Sequence, residues 1–463
     1  MIEKIMKAVK SGNKKRGRNI TIGAVVGMLL SCTVVMGADV TAKKLEITKD
    51  GNGNIEFKNE SGESFTPESE DEKNPYPDNN WNASTNTYTN NSVISGKTEV
   101  ADPSSDVYEA ALKVTAPEIN LVNNGVIKEE ITVTGTTNKN GYGYGIYIAS
   151  DLNGSLTNNG EIAGSGTYNG YGIYVGNLAG KLTNNGNITA SGSKTSFGIY
   201  IKSDLNGNLT NNGEITAAAT DGRGYGIYVA SDLNGNLTNN GIITIDGYGI
   251  YVASKLNGNL TNNGIINTNG ATSSLGIRIA RDLTGNLTNN RIINDNGNDN
   301  GRNSFSYGIY AQSLNGSLAN NGIISGTATT GNGMKSFIIS GIGIRIVNDL
   351  IDKLINNGII IGTNTGTNIG SSPVNNYGIN INALSSSSET SNITNTGVVF
   401  GKTYAIKIDA GTLKDLSNYG LLVTGGDKVI DGTVASKNNY GLAFKVDGTT
   451  YLASDDGSES DFS

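Results

Sequence analysis

Histidine is absent from this chain, cysteine occurs once, as Cys32, and proline only six times in 463 residues. Without an imidazole, no triad that relies on a histidine base can be assembled. A single thiol excludes an intrachain disulfide framework and any metal site built from several cysteines. Charged residues make up 16% of the chain and leave it acidic, at −7. No basic face exists to neutralise phosphates, so no nucleic-acid partner is expected. What the chain has instead is glycine, 64 residues of it, together with many asparagines. Such a composition suits low-complexity disorder. The apolar positions nevertheless return in register, which argues for a repeat fold.

Only the N-terminus breaks the pattern. "MIEKIMKAVKSGNKKRGRN" carries Lys4, Lys7, Lys10, Lys14, Lys15, Arg16 and Arg18 against Glu3. The apolar stretch "ITIGAVVGMLLSCTVVMGAD" comes next. A basic region, an apolar run and a small-residue exit make a secretory signal peptide over residues 1–38, cleaved after Gly37 or Ala38. The competing readings are an uncleaved membrane anchor and a lipoprotein cut before Cys32. Leu30 speaks against the latter, because it stands where a lipoprotein signal prefers a small residue. Removing residues 1–38 takes away seven basic residues and one acid, leaving the mature chain at −13.

The string "KSGNKKRGRNITIGAVVGMLLSCTVVMGAD" resembles the N-terminal export segment of fusobacterial autotransporters, the type V secreted surface proteins. That resemblance covers about 40 residues; the remainder resembles autotransporter passengers in architecture. It implies a β-helical passenger at the cell surface, and a C-terminal β-barrel to carry it across the outer membrane. A barrel needs a series of tilted, alternating strands. The repeats here run to about Lys445 and are followed by "LASDDGSESDFS". The expectation is therefore a truncated or split autotransporter, its outer-membrane translocator supplied elsewhere.

The repeat announces itself in "YGIYVASDLNGNLTNNGIIT", from Tyr225 to Thr244. Its opening block recurs at Tyr144, Tyr171, Phe197, Tyr225, Tyr248, Leu275, Tyr307, Ile342, Tyr377, Tyr404 and Tyr440. Intervals run from 23 residues (225 to 248) to 36 (404 to 440). Each repeat contains three short alternating segments, "YGIYV", "GNLTN" and "GIIT", bounded by Gly or Asn. All three are too short for helices. Propeller blades need more residues than these repeats supply. The prediction is an all-β parallel β-helix, a solenoid of about 11 coils of 23–36 residues. A signal peptide and a partly disordered acidic segment precede it. Residues 39–112 read as an N-terminal hairpin, an acidic linker and capping coils. Residues 113–453 are the helix, and 454–463 an acidic tail.

Period-2 geometry places Tyr225, Ile227 and Val229 inward and Tyr228 outward. The file Tyr144, Tyr171, Phe197, Tyr225 and Tyr248 is then expected in the core. In "LTNNG" the first Asn recurs in every coil, whereas the second becomes Thr396 and Tyr419. The first is read as an inward ladder hydrogen-bonded between coils. The Gly after it suits a left-handed corner, which Arg291 would strain. Loops such as "NDNGNDNGRNSFS" and "SGTATTGNGMKSFIIS" are expected to leave at one corner, after Ile293 and Ile324.

Chemistry is sparse. Glu161 and Glu214 lie two coils apart on an outward strand, roughly 10 Å at strand spacing, near the separation of an inverting glycosidase. No cationic cluster supports that pair, and it reads as surface charge. "DGNGN" at Asp50 and "DNGND" at Asp295 resemble the start of calcium loops, yet neither continues correctly, so both read as polar turns. No catalytic residue, cofactor or metal is assigned. The candidate binding strip is the outward file Tyr147, Tyr174, Tyr200, Tyr228 and Tyr251, rings stacked once per coil. The chain reads as a non-enzymatic exported passenger, adhesive or structural, meeting a host or bacterial surface glycan or protein. It would sit at the cell surface or outer membrane, or be secreted, and stay periplasmic where no translocator is available. A secreted polysaccharide-active enzyme is the alternative, and a functionless passenger fragment a third reading.

Mass spectrometry of the exported protein should find its N-terminus at Ala38 or Asp39. An intact Met1 would establish the anchor instead, and a lipidated Cys32 the lipoprotein.

Overall fold

The computed structural model describes residues 44–69, 72–136, 139–270, 273–299, 304–330, 339–365, 374–385, 390–446 and 451–452. The expected signal peptide, 1–38, and the expected acidic tail, 454–463, lie outside them. The chain divides into two units, Met1–Ala42 and Lys43–Ser463, and every described residue belongs to the second.

One coil shows how the sequence folds. Strands Gly247–Val252, Asn259–Asn262 and Ile265–Gly270 succeed each other around a turn. Each pairs in parallel with its counterpart one repeat away: Ile250 with Ile227, Leu260 with Leu237, Ile266 with Ile243. The fold is therefore the parallel β-helix that the repeat predicts. No coil can bury its own inner face, so stacking does it. Identical side chains meet in files, and Ile227, Val229, Leu233, Leu237 and Ile243 are all fully buried.

The first Asn of each "LTNNG" is buried, from Asn90 to Asn439. Asn239 Nδ2 donates to Asn262 Oδ1 at 2.8 Å, and Asn262 Nδ2 to Asn289 Oδ1 at 2.8 Å. Asn262 Nδ2 also reaches the carbonyls of Gly264 and, one coil on, Ile292, both at 3.2 Å. The second Asn forms its own ladder on the surface, with the opposite polarity. Asn263 donates back to Asn240 at 2.9 Å, and Asn240 back to Asn212 at 2.8 Å.

The glycine after the pair is favoured for a different reason than its sequence suggests. Gly241 and Gly264 are not left-handed, and neither is Arg291. A Cβ on Gly241 would instead stand 1.9 Å from the carbonyl oxygen of Gly213 in the neighbouring coil. Close approach of backbones, not positive φ, disfavours a side chain; at Arg291, which carries one, the next inter-coil bond lengthens to 3.3 Å, from Ile292 N to Gly264 O, against 2.9 Å from Ile265 N to Gly241 O.

Two further expectations need correction. The block at Tyr440 is not a coil start: Leu442 pairs with Leu421, and Tyr440 N bonds Asn418 O, so Asn439–Tyr440 is the "NN" of the last coil. The "YGIY" position of that coil is Ile430, paired with Ile406. The stretches after Ile293 and Ile324 do not leave at once as loops; they continue as strands Ile292–Asp299 and Ile323–Thr330. Alternating small and polar residues there sit comfortably on a neighbouring ladder of the same kind.

At the N-terminal end, Leu45–Lys49 pairs antiparallel with Ile55–Lys58 and parallel with Val107–Val114. The hairpin covers the first coil's edge, which would otherwise offer unpaired backbone groups. Within the acidic segment, Phe65 and Tyr76 are buried anchors. Val93–Ala101 already stacks in register on Val126–Thr134. Lys44 fastens the cap, 2.9 Å from Glu109 and 3.6 Å from the wholly buried Glu129.

Replacing Asn239 by Ala should lower stability by about 1–3 kcal/mol, because it leaves buried amide partners unpaired. Asn240→Ala breaks a ladder that water can replace and should cost little. Equal losses in chemical denaturation would refute this assignment.

Candidate binding face

The "YGIY" strand does not alternate strictly. Tyr225 pairs with Tyr248 and Ile227 with Ile250, while Gly226 drops out of the register. A Cβ on Gly226 would meet the core side chain of Ile243 at 2.5 Å. Gly226 and Ile227 thus both face inward, and the strand bends between them. That bend flips the parity of everything before it. Tyr225 comes to lie on the same outer side as Tyr228, not in the core with Ile227. The expectation of an inner aromatic file holds only in part: Tyr144, Phe197 and Tyr248 are buried, but the file packs outside the main core, not within it. Tyr248, Leu275, Tyr307, Ile342 and Tyr377 form a second apolar cluster, separate from the main one, packed against half-buried Tyr225, Tyr251 and Tyr310.

The outer face therefore carries two parallel files. The predicted strip is brought together: centroids lie 4.9 Å apart for Tyr147–Tyr174, 5.2 Å for Tyr174–Tyr200, 5.2 Å for Tyr200–Tyr228 and 5.0 Å for Tyr228–Tyr251. The second file braces it edge-on, with Phe197–Tyr200 at 4.9 Å and Tyr225–Tyr228 at 5.2 Å. Edge-to-face and offset contacts of this kind are the favoured aromatic geometries. Burial among the rings pushes the hydroxyls of Tyr171 and Tyr228 up to about 12. These rings stay neutral, half-exposed and fixed, which suits stacking on a ligand's apolar face.

The register extends the strip in both directions. Upstream of Tyr147 it continues to Lys113 and Glu46, downstream of Tyr251 to Arg278, Tyr310, Arg345, Asn380, Lys407 and Asp431. Both ends are ion-paired: Lys113 with Glu46 at 2.9 Å, and Lys407 with Asp431. Sequence reading misses the aromatic extension beside Tyr147, where Tyr142 stacks on the exposed Tyr108 at 4.5 Å. The signal is present in Tyr142, two residues before Tyr144, but recognising it requires the bend.

The remaining candidates lie apart from this face. Glu161 and Glu214 flank Asn187 in one register file, two coils apart. Asp50 caps the hairpin turn: its carboxylate accepts from the backbone N–H of Asn52 and of Asn54, both at 2.8 Å. The Asn54 amide and those bonds hold it below the usual carboxylate range. Asp295 is not in a turn. It points into the core, fully buried, in register with Thr268. It accepts hydrogen bonds from the Thr268 hydroxyl and from Ser306 Oγ, the latter at 2.7 Å. Burial pushes its carboxyl up to about 7, against the pull of those hydroxyls.

That carboxyl makes stability depend on pH. Below about pH 4 both states are protonated and Asp295 costs nothing. As pH rises the unfolded chain ionises first, so stability falls until the folded group titrates near 7, by about 4 kcal/mol for three units. Asp295→Asn should flatten denaturation midpoints between pH 4 and 7 and raise stability at pH 8. An unchanged pH slope would contradict the assignment; Glu129, pushed up to about 7 by burial, leaves a residual slope in either case.

A family model described as the BigA third pectate lyase-like domain matches residues 30–290, which include the whole tyrosine strip. No curated protein and no solved structure matches the chain.

Proposed function

Because this chain belongs to the family of the BigA third pectate lyase-like domain, we propose that it is an exported β-helical surface passenger that attaches through the file Tyr147–Tyr251. The observation that supports this reading most directly is the doubled aromatic face. A file of rings that only closed the core would not stand half-exposed beyond it. Each ring offers an apolar face and a polar tip, and the coil repeat multiplies one weak contact along the solenoid, which gives avidity. In this reading the protein has no catalytic role. Its export follows the type V route suggested by the N-terminal resemblance to fusobacterial autotransporters. The partner is a host or bacterial surface glycan or protein.

Changing Tyr174, Tyr200 and Tyr228 together to Ser should abolish attachment to host cells or partner bacteria. Far-UV circular dichroism should still report the β-helix, because Ile173, Ile199 and Ile227 keep the core stacked. The matching Tyr→Phe triple, which retains the rings, should keep most of the attachment. Adhesion by the folded Ser variant at the wild-type level would refute the strip as the contact surface.

A further inference from the structure

The outer file changes character after Tyr251. Its next members are Arg278, Tyr310 and Arg345, one per coil. Arg278 is held between two rings, its guanidinium carbon 5.0 Å from the Tyr251 centroid and 5.3 Å from that of Tyr310. Arg345 lies 5.5 Å from the centroid of Tyr307. Both side chains are half-exposed. Among the described residues, every other cation of this file has a carboxylate partner, as Lys113 has Glu46 and Lys407 has Asp431 and Asp409. Neither arginine has one: their register neighbours are Tyr251, Tyr310 and Asn380. Arg278 Nε is also buried without an acceptor. Among the described residues, Arg223, Arg281 and Arg291 also make no ion pair; what sets Arg278 and Arg345 apart is that they occupy the tyrosine file itself, one on each side of Tyr310.

We infer that Arg278, Tyr310 and Arg345 form a subsite for an extended anionic glycan, in which oxyanions meet the guanidiniums and a sugar ring covers the tyrosine between them. This rests on the aromatic file being the contact surface and specifies the ligand it takes. The neighbouring rings attract and restrain each guanidinium, and its planar fork matches the two oxygens of a carboxylate or sulfate. The arginines are two coils apart, roughly 10 Å at strand spacing. That step suits a polymer with its acid on alternate sugars. Upstream, Tyr147–Tyr251 would continue the track by stacking alone and accept the neutral part of the chain.

The test uses the mature chain immobilised on a biosensor and three oligosaccharide probes of matched length. They are a hyaluronan fragment (carboxylate on alternate sugars), a heparin fragment (sulfate-rich) and a neutral N-acetylglucosamine oligomer. At least one anionic probe should bind about tenfold tighter than the neutral one, and that advantage should shrink with added salt. The double variant R278Q/R345Q should lose the advantage while binding the neutral probe as wild type does. R278K/R345K, which keeps charge without the fork, should recover only part of it. Comparison of the two anionic probes identifies the oxyanion. Equal affinity for neutral and anionic probes, or anionic binding unaffected in R278Q/R345Q, overturns the subsite. If the Tyr174/Tyr200/Tyr228 serine variant still loses binding in that case, the aromatic strip survives its failure. Absence of binding to all three probes overturns the glycan subsite, and the cell-attachment assay then judges the strip independently.

Discussion

In each coil one buried asparagine passes its amide hydrogen to the asparagine of the next, and the rest of the solenoid is arranged around that bond. A primary amide has donors and acceptors on opposite ends, so a file of them can satisfy itself indefinitely at strand spacing. Asn262 shares its two N–H hydrogens among three acceptors, Asn289 Oδ1 and the carbonyls of Gly264 and Ile292. The two carbonyl bonds fix which way the amide faces, so the buried ladder has one polarity throughout. The exposed ladder runs the other way, from Asn263 to Asn240 to Asn212. Oppositely directed amide files side by side largely cancel their dipoles.

The parallel backbone ladder sets the distance between coils, the asparagine file matches it, and that distance decides what else fits. Gly213 O leaves no room for a Cβ on Gly241, and Gly249 O leaves none on Gly226. At the first place glycine lets two corners nest; at the second it lets the strand turn two consecutive residues inward. The second consequence reaches the surface. By shifting the parity of the preceding residues, Gly226 moves Tyr225 out of the core and sets it edge-on against Tyr228. The aromatic face is thus a product of backbone contact, and its rings are held by neighbours on two sides.

A surface so built is rigid and repetitive, which suits recognition of a ligand that is itself repetitive. Its energetics differ from those of a pocket. The rings of the strip are each partly buried, and in the proposed binding role specificity would come from how the file is lettered along its length. Tyrosines occupy the first part, arginines alternate with tyrosine in the next, and paired charges close both ends. The buried acids Asp295 and Glu129 belong to the scaffold. Asp295 replaces an apolar core position and is tolerated through two hydroxyls, at a stability cost that grows with pH.

The amino-acid order alone suffices for the β-helix, the register, the inward and outward asparagines and the outer tyrosine file. It does so because the coil is copied many times: positions that must match a neighbour, such as Asn239, stay constant, and positions facing water, such as Tyr228, vary to Arg278 or Lys407. Tyr225 deceives a reading of the repeat because constancy there signals packing, and packing outside the core looks the same as packing within it. Asp295 deceives for a similar reason, since a polar pentapeptide gives no sign of whether it turns or extends. Tyr440 aligns by its "YG" where the asparagine before it is the true marker. These points are settled only in three dimensions. Parity across a glycine bend, the burial of a lone acid and the pairing of charges between coils all depend on atoms a full turn away in the chain, about which a single repeat carries no information.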